Sequence, residues 1–270
     1  MPVGRHPVGG GADAPEHASR LDLAYARATG ANFISDTARA AVRDRLAQPQ
    51  PDEMLDENRL WADLLSSMPM CFNLLGDLHA DLEAADRTVR AWWPDAPGTV
   101  AKMWFEWSPG RRDPAYLGNR TAFDAAMVLD LPDSTSGVIG IETKYHESPI
   151  RDQPPRDDRL RRYVEVSDDS RAFLPGALEL IIGTPLQQIW LDHLLVLAML
   201  QHAEAAWSWG RFVLVHPAGN VAYARLAEEY GLLLADSSTF EARTIESLID
   251  APAALRPATV SAFRDRYFWD

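Results

Sequence analysis

Apolar positions along the chain follow two periods, one of three to four residues and one of two. Leu60, Trp61, Leu64, Leu65 and Met68 form a helical stripe that begins after the break at Gln48-Pro49-Gln50-Pro51-Asp52, with Glu57 at its head. Between 99 and 146 the pattern is that of strands: Thr99–Ser108, Ala122–Leu131 and Val138–His146, parted by the loop Pro109–Pro114 and the turn Pro132–Gly137. The turn makes the last two runs the arms of an antiparallel hairpin. Thr184 as N-cap, Pro185 in the first turn and Gln187 as a capping-box partner predict a helix running to about Glu204, apolar almost all round and therefore buried. A buried strand at Phe212–His216, an Asn220-capped helix closing at Gly231, a strand at Phe240–Thr244 and a last helix carrying Phe263, Tyr267 and Phe268 complete the pattern.

Three segments are less periodic. Residues 1–20, rich in Gly, Pro and Ala, are expected to be a flexible tail ahead of a single domain over 21–270. Leu21–Leu46 is rich in Ala and Arg and is expected to be helical. Arg151–Asp169 is charged and proline-punctuated, and is expected to be a mobile loop with one helical turn. No internal repeat is visible.

Composition narrows the function. The chain of 270 residues is 47% hydrophobic, and its longest apolar run, Leu194–Leu200, is far too short for a membrane span. The N-terminus shows no signal stretch, and the single cysteine, Cys71, forms neither an internal disulfide nor a cysteine-based zinc site, which predicts a cytoplasmic protein. A net charge of −13 excludes a nucleic-acid binder that works by bulk charge. Residues 51–90 carry a net −6, whereas 102–120 and 144–162 each carry +2, so a polyanion would dock on the latter two. Of the 26 basic residues only Lys102 and Lys144 are lysines. Arginine serves here wherever a generic positive charge is needed, which makes a lysine in a core strand a chemical question.

Glu142 and Lys144 are two apart in the strand Val138–His146, so their side chains share a face. Asp124 lies in the preceding strand, and a hairpin about 132–137 sets it within a residue or two of Glu142. Two converging carboxylates suit a Mg²⁺ ion, which takes a few hard oxygen ligands and keeps several waters. The lysine ammonium can orient or help deprotonate an attacking water and stabilise charge on a phosphorane. The rival assignment for the three is a structural ion pair.

With Asp124 as the motif aspartate and Glu142-Thr143-Lys144 as ExK, the chain resembles the PD-(D/E)XK superfamily of restriction-endonuclease-like nucleases. The resemblance covers roughly 53–216 and implies an α/β fold with a mixed central sheet flanked by helices in the order α-β-β-β-α-β. It looks closest to restriction endonucleases, partly through Ser66-Ser67-Met68-Pro69-Met70-Cys71-Phe72-Asn73-Leu74-Leu75-Gly76. Phe123 stands where many members have proline. The resemblance implies a Mg²⁺-dependent nuclease, with Mn²⁺ as a possible substitute, acting on DNA in restriction, defence or repair. A non-cleaving binding or assembly module and a metal phosphoesterase on a small phosphorylated substrate are the alternatives, and a homo-oligomer or partner subunit is compatible with each.

The resemblance matches Glu57 to a first-helix glutamate that reaches the metal, although a first-turn acid also complements the helix dipole. It matches Gln188 to a site glutamine, although that amide can equally be satisfied by Asp192 one turn on. Glu106 alternates with Trp104 and can join the site from the first strand, and His146 shares the parity of Glu142 and Lys144. Arg111, Arg112, Arg159, Arg161 and Arg162 are the candidate phosphate contacts, against the reading of a solvated charged face. His193, His216 and the nine tryptophans are assigned to core and interface.

Overall fold

The computed structural model describes residues 3–5, 16–203, 207–252 and 254–268. Strands β1 (Val3–Arg5) and β2 (Glu16–Leu21) pair antiparallel. Helices α1 (Leu23–Thr29), α2 (Asp36–Leu46), α3 (Glu57–Ala62), α4 (Ser67–Ala80) and α5 (Leu82–Trp92) precede β3 (Thr99–Trp107), β4 (Phe123–Asp130) and β5 (Ser136–Thr143). Helices α6 (Asp157–Ser170), α7 (Ala177–Ile181) and α8 (Leu186–Leu200) lead to β6 (Trp207–His216). After α9 (Val221–Gly231) come β7 (Phe240–Thr244), α10 (Ile245–Ile249) and α11 (Pro257–Tyr267). Among the described residues no helix is long and apolar enough to cross a membrane.

The main sheet runs β3-β4-β5-β6-β7, antiparallel across its first two pairings and parallel across the last two. That is the mixed, helix-flanked α/β sheet the resemblance implies. A parallel pairing requires a crossover, which α6 to α8 supply for β5–β6 and α9 supplies for β6–β7. The central strand β5 is buried on both faces from Gly137 onward. One core packs Ile139, Ile141, Met127 and Val213 against α2, α4, α5 and α11, and the other packs Val138, Ala126, Phe212 and Leu214 against α6, α8 and α9. Full burial of each Ile or Leu contributes about 1.5–3 kcal/mol, so these two layers hold the middle strand rigidly. The Glu142-Thr143-Lys144 motif sits at its C-terminal end.

Several sequence expectations change. The expected tail does not extend to residue 20, because Glu16–Leu21 form β2, Ser19 O accepts the Leu64 N–H at 2.8 Å, and Leu21 is buried. Residues 1, 2 and 6–15 of that segment lie outside the described residues. The stretch 21–46 is two helices, since Gly30 takes a left-handed φ of 65° that ends α1 and the Ser35 hydroxyl caps α2. The stripe from Leu60 to Met68 is likewise cut. Asp63 is extended, pairs with Arg20 at 3.3 Å and accepts the Leu65 N–H, after which Ser66 caps α4.

The largest change is α6, a 14-residue helix where a mobile loop is expected. Its Leu160, Tyr163, Val166 and Ser167 form one inward stripe, and Tyr163 meets Trp190 of α8 edge-on at 5.8 Å. The numerous charges lie on its outer face and mask a narrow apolar one. Helix α8 ends at Leu200 rather than near Glu204, and it starts one residue later than expected, with Pro185 as N-cap: the Thr184 hydroxyl accepts the Leu186 N–H, but Gln187 Oε1 accepts the Gly183 N–H and closes no capping box on Thr184, whose N–H donates to Ile181 O.

Candidate active site

The hairpin register sets up the site. Ala125 pairs with Ile141, so one step further Asp124 comes level with Glu142. On the other side Phe105 pairs with Ala125 and Trp107 with Phe123, which brackets Glu106 level with Asp124. Three carboxylates therefore lie in one row across β3, β4 and β5, on strands about 4.8 Å apart. Glu106 holds a left-handed φ of 48°, an uncommon state for a residue with a Cβ. It marks the point where the strand's inward alternation breaks, Phe105 packing into one core and Trp107 against the other.

Lys144 follows the last residue of β5 and continues its pairing by one bond, its N–H donating to Val215 O at 2.8 Å. Its Nζ donates to Glu142 Oε1 at 2.5 Å and lies 5.6 Å from the centre of the Tyr223 ring. Gln188 Nε2, from α8, donates to the same Glu142 oxygen at 3.1 Å. Gln188 thus joins the site through Glu142 rather than being satisfied by Asp192. Asp124 Oδ2 accepts from the Thr143 N–H at 2.8 Å and the Thr143 hydroxyl at 2.6 Å. Asp192, one turn after Gln188, is 6% exposed, and its Oδ2 has no hydrogen-bond partner.

The residue in the proline position has its own accommodation. Phe123 is fully buried, and its ring lies against Gly140, where a Cβ would fall 2.4 Å from the ring carbon Cε1. Glycine at 140 lets the ring lie against β5 two residues before Glu142, a close approach that any side chain would block.

Electrostatics sharpen the picture. Burial foremost, then repulsion from Asp124 and Glu142, pushes the Glu106 carboxyl up to about 8. Burial, followed by Asp124, raises Glu142 to about 7 even though Lys144 opposes the shift. Burial also raises Asp124 despite Lys144 and the Thr143 hydrogen bonds, and raises Asp192 well above the usual carboxylate range, with Glu142 adding to it. Burial alone would weaken the Lys144 ammonium, but the Glu142 carboxylate outweighs it and holds the pKa above that of an ordinary lysine. Lys144 is a firmly held cation. Nearby, Glu147 accepts N–H bonds from Ser67 and Tyr145 that outweigh its burial and keep it ionised, and it ion-pairs with Arg59 at 2.7 Å.

Glu106, Asp124, Glu142, Gln188 and Asp192 line a cleft of about 720 Å³, with Arg59, Arg120, Arg156 and Arg159 also on its walls, whereas Lys144 lies behind Glu142 and is not among the lining residues. Glu57, expected to reach a metal, is not among them. Its side chain is 55% exposed and pairs with Arg27 at 3.4 Å, because the short α3 turns its first residue to the surface. The expected arginines divide. Arg159 is exposed on the cleft wall and Arg161 is exposed on α6. Arg111 is spent on Gln50 and on Glu106 O, Arg112 pairs with Asp52 at 3.0 Å, and Arg162 donates to the carbonyls of Tyr116 and Ala115. Arg59, Arg120 and Arg156 carried no periodic or motif signal. His146 is exposed beside Pro217 and Asn220 in a separate hollow, since β5 ends before it. His193 is buried between Tyr230 and Thr239 and is held neutral by burial at about 3, a core role as expected.

The donor set fits a hard divalent cation. Asp124 Oδ1 and Glu142 Oε2 accept no hydrogen bond among the described residues, and the raised carboxyls signal negative charge that one lysine leaves uncompensated. Among the described residues no three His, Cys, Asp or Glu side chains stand as a ready ligand set. The fold and this cleft define a nuclease-like α/β protein. A model of the PD-(D/E)XK nuclease superfamily matches residues 1–269, and the chain belongs to that superfamily, whose members are usually nucleases and typically use divalent metal ions. No curated protein and no solved structure matches it.

Proposed function

We propose that the protein is a Mg²⁺-dependent nuclease that hydrolyses phosphodiester bonds in DNA, with Mn²⁺ as a substitute ion. The observation that carries this is Glu142, one oxygen of which takes both Lys144 and Gln188 while its carboxylate stands level with Asp124 in an open cleft. Asp124 and Glu142 would hold the ion. When bound, it supplies Lewis-acid activation of the attacking water and neutralises charge on the phosphoryl group.

The chain's own groups supply the rest. The attacking water releases a proton to solvent as its oxygen forms a bond to phosphorus, the opposite P–O bond breaks, and the departing oxygen takes a proton from solvent, so the proton count is unchanged. Lys144 stays protonated, so it serves as a fixed positive charge beside the phosphorane rather than as the base. Gln188 holds the Glu142 carboxylate in one rotamer, and the paired bonds from Thr143 do the same for Asp124. Arg159 and Arg156 would meet the phosphate backbone at the mouth of the cleft, joined by Arg120, which Asp52 holds at the longer distance of 3.5 Å.

The test is cleavage of labelled duplex and single-stranded DNA with Mg²⁺ and with EDTA, beside a small phosphodiester. Cut DNA that disappears with EDTA and in Asp124→Ala supports the nuclease. Turnover of the small ester alone makes it a phosphoesterase, and DNA binding without cutting makes it a binding module.

A further inference from the structure

We propose that Glu106 and Asp192 bind the divalent cation of this cleft together with Asp124 and Glu142, Glu106 standing in for the first-helix glutamate expected at Glu57. The proposal rests on the cation-dependent reading above.

Two independent observations carry it. The first is register: Glu106 is level with Asp124, which is level with Glu142, so the row of acids extends one strand beyond the motif pair. No hydrogen bond reaches the Glu106 carboxylate among the described residues. The arginines nearest it, Arg45 and Arg111, donate no hydrogen bond to the carboxylate: Arg45 pairs with Glu53 at 2.5 Å, and Arg111 donates to Gln50 and the Glu106 carbonyl while its Nε is left without a partner. A partly buried acid on the sheet, turned into the cleft by a left-handed backbone, is thus left without a partner of its own.

The second is Asp192. It enters the same cleft from the opposite wall, on α8, with an oxygen shut off from solvent that no donor reaches. Such an oxygen has given up its water without gaining a partner, a net cost to the fold. Gln188, a neighbouring amide that would satisfy it, is turned to Glu142. With Asp124 and Glu142 these acids make four carboxylates lining one cleft, of which only Glu142 is in contact with the Lys144 ammonium. A hard cation among them supplies the missing positive charge and the missing partner at once. Glu57, exposed and paired with Arg27, takes no part.

The experiment measures Mn²⁺ affinity of the full chain by electron paramagnetic resonance at pH 8, with wild type, Glu106→Gln, Asp192→Asn and Glu57→Gln. Melting temperatures are read without metal. Glu106→Gln and Asp192→Asn should each weaken Mn²⁺ binding about tenfold or more, the scale on which support of a metal site acts. Glu57→Gln should leave it unchanged. Without metal, the two variants should melt at or above the wild-type temperature, because each removes an uncompensated acid. Glu106→Asp, which keeps the charge but withdraws it by one carbon, should give an intermediate affinity. Wild-type Mn²⁺ binding that survives Glu106→Gln or Asp192→Asn undiminished overturns this assignment and leaves the nuclease reading standing. A wild type that binds no Mn²⁺ overturns both. A variant that melts lower without metal and binds Mn²⁺ as before marks its residue as a structural acid, which also overturns the assignment.

Discussion

Lys144 Nζ lies 2.5 Å from Glu142 Oε1, and both side chains are more than nine-tenths buried. Removing one partner of such a pair leaves a buried charge, at a cost of about 3–5 kcal/mol where that charge cannot neutralise itself. Glu142 can, by taking a proton. Lys144→Ala should therefore abolish Mg²⁺-dependent cleavage and destabilise the protein more at pH 8 than at pH 5. Lys144→Arg should also be severely impaired, since the planar guanidinium does not fit the space of a compact ammonium. Cleavage assays beside urea melts at the two pH values check this. Wild-type cleavage by Lys144→Ala would remove the lysine from the chemistry.

The pH dependence follows from the raised acids. Glu106 rises from 4.5 to about 8 and Glu142 from 4.5 to about 7, so in this window the folded state holds more protons than the unfolded one. Stability of the metal-free protein is then lost as pH climbs from about 4.5 to about 8. Asp77 and Glu53 are shifted the other way, despite burial, by hydrogen bonds that include those from Arg256 and Arg45, and their contribution is lost as the medium becomes more acid. A bound cation replaces the protons, so its affinity should rise with pH and its binding should release protons. Melting in EDTA and in Mg²⁺ from pH 5 to pH 8 should give two curves that diverge upward. Parallel curves would contradict the assignment.

Gly140→Ala should destabilise the fold by about 1–3 kcal/mol, the usual cost of overpacking a filled core. The added methyl would meet the Phe123 ring at 2.4 Å, and that ring has no room to withdraw. Because the clash lies two residues before Glu142, cleavage should fall too. Phe123→Leu in the same chain should restore part of both, as denaturation and activity measurements would reveal.

Arginine substitutions should separate into two groups. Arg159→Ala, Arg120→Ala and Arg156→Ala should weaken DNA binding and shallow its salt dependence, by about 0.9 in log–log slope for each phosphate that an arginine no longer neutralises. Arg162→Ala should instead lower the melting temperature, since its guanidinium ties α6 to the carbonyls of Ala115 and Tyr116. Salt titrations of affinity distinguish them. An unchanged slope on replacing Arg159 would place the backbone interaction elsewhere.

Local chemistry carried much of the fold and the centre of the site. Strand alternation placed Glu142 and Lys144 together, the 132–137 turn brought Asp124 across, and the apolar run before Gln201 marked α8 as buried. These depend on residues a few positions apart, whose relation the backbone period dictates. Tertiary structure decided the rest. The stripe at Leu60–Met68 looked continuous, but Arg20 from β2 captures Asp63, the helix divides, and Glu57 is left at the surface. Charge hid the apolar face of α6 until α8 packed against it. Glu106 and Asp192 stand beside the motif only through the pairing of β3 with β4 and the docking of α8 over β5, which join positions 18 and 50 residues from their motif neighbours Asp124 and Glu142. A periodic pattern tells which way a side chain faces, whereas its partner is chosen by whichever distant element the folded core brings over that face.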